Sequence, residues 1–228
     1  MNGVIIALKE EITSINDISD DVKVYETNFF KYYIFSKNNN NFVLVFSGVG
    51  KANSAACTID LIKTFNVKNI LNIGVCGTNK NDIEKNSVTV LSRNYYLDVD
   101  ATEFGYSFGQ VPKELEFFEN ENEFNNKIKK ILKENNIEFK QCYGATIDSF
   151  INNKNIDKFV DNDLFEKVSC FDMESCSIKQ IASKAKTNTS FIKVISDNIR
   201  GKTNEYIETK ETWPKTVTKI INLIINNF

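Results

Sequence analysis

No histidine occurs among the 228 residues of the chain. That absence removes the commonest general base, the Ser-His and Cys-His nucleophile pairs, and most zinc sites. Acid–base chemistry must then run on carboxylates, lysine, tyrosine or water. Arginine is nearly as scarce, with only Arg93 and Arg200, so one chain cannot clamp a phosphate between several guanidinium groups. The five cysteines (Cys57, Cys76, Cys142, Cys170 and Cys176) are odd in number and form no C-x-x-C pair, which favours reduced thiols packed as small core residues. No Pro/Gly/Ser-rich linker divides the sequence, and residues 1–228 are expected to form one domain. Basic blocks are missing too, and the formal net charge is −2. This argues against nucleic acid or an anionic membrane as a partner and for a small ligand of little charge. The opening "MNGVIIALKEEI" has an apolar run too short for a signal peptide and no basic residue ahead of it. With no window as long as a membrane span, a soluble, cytoplasmic protein is expected.

What is present is an alternation of strand and helix signals. Strands are expected at residues 3–8, 69–74, 87–91, 142–145 and 190–196, with a hairpin of 32–36 and 42–47 across the Asn38-Asn39-Asn40-Asn41 turn. Helices are expected at 51–65, 114–135, 155–162, 172–184 and 208–226. The runs "NILNIGV" and "SFIKVIS" look buried on both faces, which means an α/β domain with a mixed or largely parallel central sheet. Ligands of such sheets gather at the carboxyl ends of strands, where Glu11, Glu174 and Asp197 are expected to converge on one mouth. The many asparagines, interleaved with regular apolar spacing, fit the codon bias of an A/T-rich genome and carry no functional reading.

The stretch "VFSGVGKANSAACTIDLI" invites comparison with a phosphate-binding loop. A Walker loop needs G-x-x-x-x-G-K followed by Ser or Thr, whereas Gly48-Val49-Gly50-Lys51 is followed by Ala52. The glycines therefore need another use.

Seven segments in order, "GVIIALKEEI", "SGVGKANSAA", "NIGVCG", "DVDATEFGYSFGQVP", "IDSFIN", "FDMES" and "VISD", resemble the 5′-methylthioadenosine/S-adenosylhomocysteine nucleosidases of the nucleoside phosphorylase-like superfamily. The resemblance spans nearly the whole chain and implies a three-layer fold, a central mixed β-sheet flanked by helices. It makes Asp197 the general acid to adenine N7, Glu11 the residue that holds and activates water, and Glu174 the ligand of the ribose hydroxyls. It lets the glycines bring the backbone close to the nucleoside, with Val49 beside the 5′-alkylthio group and Val75, Cys76 and Gly77 also lining the substrate. Phe150 is expected to stack on adenine, the Ile151 backbone to read the purine edge, Met173 to pack on the ribose, and Ser196 to orient Asp197. Phe104, Tyr106 and Pro112 match positions that close the alkylthio end, some reaching in from a neighbouring subunit, so a homodimer is implied. Neither a metal nor an organic cofactor is implied. The lid role between Arg200 and Trp213 falls to Tyr206 or Ile207.

Cleaving the N-glycosidic bond demands protonation of the leaving purine, stabilisation of an oxocarbenium-like sugar and a water below the anomeric carbon. A free Asp titrates near pH 3.9, so Asp197 needs burial or a neighbouring carboxylate, for which Glu11 and Glu174 are candidates. Phosphorylases of this fold present R-x-G-S-C-G where this chain reads Asn72-Ile73-Gly74-Val75-Cys76-Gly77. Both phosphate-gripping groups are replaced, and Glu10 and Glu11 would repel a phosphate dianion. Water is therefore the expected nucleophile. The chain departs from the family pattern at Val75, Thr78, Ile147, Lys193 and in "SDN", changes that bear on substrate preference and efficiency. Taken singly, Glu11 and Glu174 also fit acids at helix starts, Asp197 fits a turn cap, and Met173 and Phe150 fit ordinary core. A purine nucleoside phosphorylase, a nucleosidase for another purine nucleoside and a catalytically dead binding protein are the alternatives.

Overall fold

The computed structural model describes residues 1–160, 163–201 and 205–228. Its strands are β1 (Asn2–Ile6), β2 (Lys23–Glu26), β3 (Lys31–Lys37), β4 (Asn40–Phe46), β5 (Asn69–Thr78), β6 (Val88–Tyr96), β7 (Phe118–Glu119), β8 (Phe139–Thr146), β9 (Cys170–Asp172) and β10 (Asn188–Asn198). The helices are α1 (Lys51–Phe65), α2 (Glu123–Glu134), α3 (Asp163–Lys167), α4 (Ser175–Lys184), α5 (Glu205–Glu208) and α6 (Trp213–Asn226).

The strands form one mixed sheet in the order β10-β6-β8-β9-β5-β1-β4-β3-β2, and β10 also pairs with β5, so five strands close on themselves. Period-two alternation sends neighbouring side chains of one strand to opposite faces. Val4 and Ile6 of β1 join Trp213, Val217 and Ile221 of α6 and Phe124 and Ile128 of α2 in one core. Ile5, between them, joins Cys57 and Leu61 of α1 and Ile178 and Ala182 of α4 in the other. Helices thus cover both faces, giving three layers. All five cysteines are free thiols buried in this packing. Among the described residues no helix is long and apolar enough to cross a membrane.

Several elements differ from the sequence expectation. The helix expected at 114–135 is only α2: Phe118 and Glu119 pair with Asn94 and Arg93 of β6, and the Asn122 side chain caps the helix by accepting the Asn125 N–H at 3.0 Å. Over 155–160 the chain makes a 3₁₀ turn, Ile156–Lys158, because the Asn155 side chain binds the backbone at Asn152 and Phe150 instead; residues 161–162 lie outside the described residues. The helix expected at 172–184 starts at Ser175 since residues 170–172 are strand β9. The one expected at 208–226 starts only at Trp213, as α6, with Pro214 in its first turn, where a missing N–H costs nothing. The strands expected at 69–74, 87–91, 142–145 and 190–196 run longer as β5, β6, β8 and β10. β2 was not expected, since all four of its residues are exposed and show no alternation.

Candidate active site

A cavity of about 230 Å³ opens at the carboxyl ends of β1, β5, β9 and β10. Glu11, Glu174 and Asp197 all line it, with Val49, Val75, Cys76, Gly77, Phe150, Ile151, Met173 and Ser196. Ile147, Ser149, Phe171, Asp172, Ile199 and Tyr206 complete much of the wall.

Glu11 sits in a 3₁₀ turn just past β1 and is only 4% exposed. Its Oε2 accepts the N–H groups of Ala7 and Leu8, and its Oε1 accepts that of Val75, each at 3.0 Å. Gly74 makes this approach possible, for a Cβ there would stand 2.8 Å from Oε1. Burial raises the Glu11 pKa, and the three amides with the Lys193 charge only partly offset that rise.

Beneath Glu11, Lys193 of β10 and Asp172 of β9 form an ion pair of 2.7 Å with side chains 2% and 4% exposed. Asp172 also accepts the Thr146 hydroxyl at 2.6 Å, the Ser175 hydroxyl, and the Ser175 N–H at 3.2 Å, so it starts α4 as well. Burial alone would raise its pKa, but Lys193 and these donors hold it below the usual carboxylate range. Burial favours the neutral Lys193 amine, yet the Asp172 charge beside it keeps it an ammonium. This pair was not anticipated, although Asp172 lies inside the quoted "FDMES". An alternating strand end should place it beside Glu174, and that was the available signal.

Glu174 lies two residues past β9, directly before α4, and accepts the Gly50 N–H at 2.9 Å. Its pKa is pushed up to about 8 by burial and by the Asp172 charge. The next amide, Lys51 N–H, donates to Asp148 Oδ1 at 2.8 Å. Helix α1 therefore presents its N-terminal amides to carboxylates of its own chain, which is the use the glycine turn finds here.

Asp197 is 6% exposed. The β5–β10 register shifts between Ile195 and Asp197, a bulge that turns the Asp197 side chain toward the cavity. Its Oδ1 accepts the Ser196 hydroxyl at 2.6 Å. Burial raises its pKa, and the Glu205 charge adds to that rise while Ser196 and Lys85 oppose it. The neighbouring carboxylate is thus Glu205, in place of the Glu11 and Glu174 proposed from sequence.

Tyr206 packs edge-on to Phe150 at 5.5 Å and beside Trp213 at 5.9 Å. Ile207 is 67% exposed, so of the two lid candidates only Tyr206 reaches the cavity. Phe104, Tyr106 and Pro112 do not line it within one chain, and Phe104 is 80% exposed. Among the described residues no cluster of three His, Cys, Asp or Glu is arranged to hold a metal ion.

Fold and site define an α/β domain of the phosphorylase superfamily, whose family model matches residues 2–226. The 5′-methylthioadenosine/S-adenosylhomocysteine nucleosidase of Buchnera aphidicola subsp. Schizaphis graminum is 32% identical over 199 residues, 86% of this chain and 83% of that protein. The nucleosidase of the same name from Helicobacter pylori, solved with butyl-thio-DADMe-Immucillin-A, superposes with a TM-score of 0.89 at 25% identity, covering 100% of this chain and 98% of that one. A futalosine hydrolase mutant of Helicobacter pylori shares the fold, with a TM-score of 0.91 at 23% identity over 100% and 99% of the two chains. The chain belongs to the phosphorylase superfamily and, within it, to the 5′-methylthioadenosine/S-adenosylhomocysteine nucleosidase family.

Proposed function

We propose that the chain hydrolyses the N-glycosidic bond of 5′-methylthioadenosine and S-adenosylhomocysteine, with 5′-deoxyadenosine as a further substrate, and releases adenine. The observation that carries this reading is the amide nest of Ala7, Leu8 and Val75, filled by the Glu11 carboxylate. Such a nest would otherwise receive an oxyanion; here a base occupies it, so water is favoured over phosphate. The Asn72 side chain is spent on Ile5 O at 3.0 Å and on the Ser175 hydroxyl at 3.3 Å, and contributes no phosphate ligand.

A carboxylate offers about four acceptor positions, and three of those on Glu11 are taken by backbone. The fourth receives an O–H of the water that attacks the anomeric carbon, and Glu11 takes its proton. Asp197, its Oδ1 held by Ser196, delivers a proton from Oδ2 to adenine N7 as the bond electrons pass to the purine. Glu174 holds the ribose hydroxyls, Phe150 and Tyr206 flank the base, and Val49 meets the 5′-alkylthio group. The half-exposed Phe150 and exposed Phe104 and Leu115 support a homodimer in which segment 104–112 of a second copy covers the alkylthio end. The whole of 1–228 acts as one domain.

The test is adenine release from 5′-methylthioadenosine in phosphate-free buffer, repeated with phosphate. Release without phosphate, leaving free methylthioribose, is the expected result. Turnover only with phosphate would make the protein a phosphorylase, and silence in both buffers would point to another nucleoside or a binding protein.

A further inference from the structure

Asp197 lies next to a backbone irregularity that needs support. The bulge takes Ser196 out of the β5–β10 pairing, and a carbonyl released from a ladder inside a protein requires another donor. That donor is the Thr209 hydroxyl, 2.7 Å from Ser196 O. The same hydroxyl stands 3.0 Å from Glu205 O and 3.3 Å from Tyr206 O, so its shortest contact is the one to the strand. On the other side of Asp197, the Asn198 N–H donates to Glu205 Oε2 at 3.1 Å. Gly201 leaves room for this carboxylate, because a Cβ there would stand 2.5 Å from Glu205 Oε1. Lys85 Nζ steadies it further at 3.7 Å.

We infer that Glu205 and Thr209 are positioning residues for Asp197, gripping the backbone one residue after it and one residue before it. The inference rests on the hydrolase reading given above. Between the two gripping residues lies Tyr206, which lines the cavity. One short turn therefore sets both the ring over the ligand and the aim of the acid, and the acid is aligned only when that turn is seated. The ionisable groups facing Asp197 are Glu205 and Tyr206 from α5, Lys85 from the loop before β6, and Glu11 and Glu174 across the cavity. The Glu205 charge also favours the protonated acid.

The experiment compares Thr209→Val, Thr209→Ser and Glu205→Gln with the wild-type chain in phosphate-free adenine release across pH. Losing the Thr209 hydrogen bond is expected to lower kcat about tenfold in Thr209→Val, while Thr209→Ser, which keeps the hydroxyl, stays within about twofold of wild type. Glu205→Gln keeps an acceptor for Asn198 and removes the charge. Asp197 must be protonated to act, so activity falls as pH rises through its pKa, and that falling limb should move to lower pH. Equal damage in Thr209→Val and Thr209→Ser, or an unmoved limb in Glu205→Gln, overturns the inference while leaving the hydrolase reading intact. If the wild-type chain releases no adenine, the hydrolase reading fails. The clasp is then judged by ¹³C NMR titration of the Asp197 carboxyl, which should shift downward in Glu205→Gln and, if unchanged, overturns it.

Discussion

Glu11 and Asp197 are both buried acids on the wall of one cavity, and burial pushes both toward the protonated form. Their surroundings differ. Glu11 is met by three backbone N–H groups and a lysine charge two strands away, whereas Asp197 is met by one hydroxyl and lies near the Glu205 charge. Donors aimed at a carboxylate favour its ionised form, and a like charge favours its neutral form. The amide-rich wall is therefore suited to a base and the donor-poor wall to an acid. On the proposed hydrolase reading, two carboxyls of nearly the same chemistry take opposite roles through what the backbone presents to them.

The comparison breaks most completely at Asp197. Asp197→Asn keeps size and the Ser196 contact but has no proton to deliver, and kcat should fall at least about a hundredfold. Steady-state adenine release at the pH optimum measures it. A variant within threefold of wild type would show that the acid comes from elsewhere and that the two walls are not divided as argued.

How much of this division was legible in the sequence depended on how local each cause was. Helix α1 matched its expected span because its limits are set by its own residues, down to Asn66 in the left-handed conformation that ends it. The segment 114–122 was misread because its two-residue strand exists only through pairing with β6, and no local periodicity reports such a partner. The Asn122 cap that starts α2 was readable and was overlooked. At the site, six of the seven motifs supply residues on the cavity wall, whereas Phe104, Tyr106 and Pro112 of the seventh do not reach it within one chain. The Lys193–Asp172 pair joins positions 21 apart in sequence on strands β10 and β9, which are not adjacent in the sheet. Glu205 lies in a stretch with no motif, so its nearness to Asp197 emerged only once the chain had folded back over the strand end.

A smaller effect tests the Glu11 wall from behind. In Gly74→Ala the new Cβ meets Oε1 at 2.8 Å and both Oε2 and Cδ at 3.2 Å, so the carboxylate must shift off the Val75 amide. Losing a bond to the ionised form raises the Glu11 pKa. Because the proposed mechanism uses Glu11 deprotonated, the rising limb of the pH–rate profile should move to higher pH, with kcat lowered about tenfold. An unmoved rising limb alongside normal Asp197-dependent behaviour would assign the base to another group.

The smallest effect concerns Glu174, which stands between the two walls and shows what burial costs when donors are few. Its single amide contact leaves its pKa at about 8, against an ordinary value of 4.5. A carboxyl whose pKa is raised by folding is held as the acid, so its contribution to stability is complete below about pH 4.5. That contribution is lost as pH rises through about 8, where the buried group must ionise. Glu174→Gln retains an oxygen for the Gly50 N–H and never ionises. Thermal unfolding should therefore give the variant a Tm higher than wild type by at least about 3 °C at alkaline pH. The two curves should merge in acid, where both side chains are neutral. A variant no more stable than wild type in alkaline solution would mean that the folded protein accommodates the Glu174 charge without penalty, and the three carboxyls would then differ less than their surroundings imply.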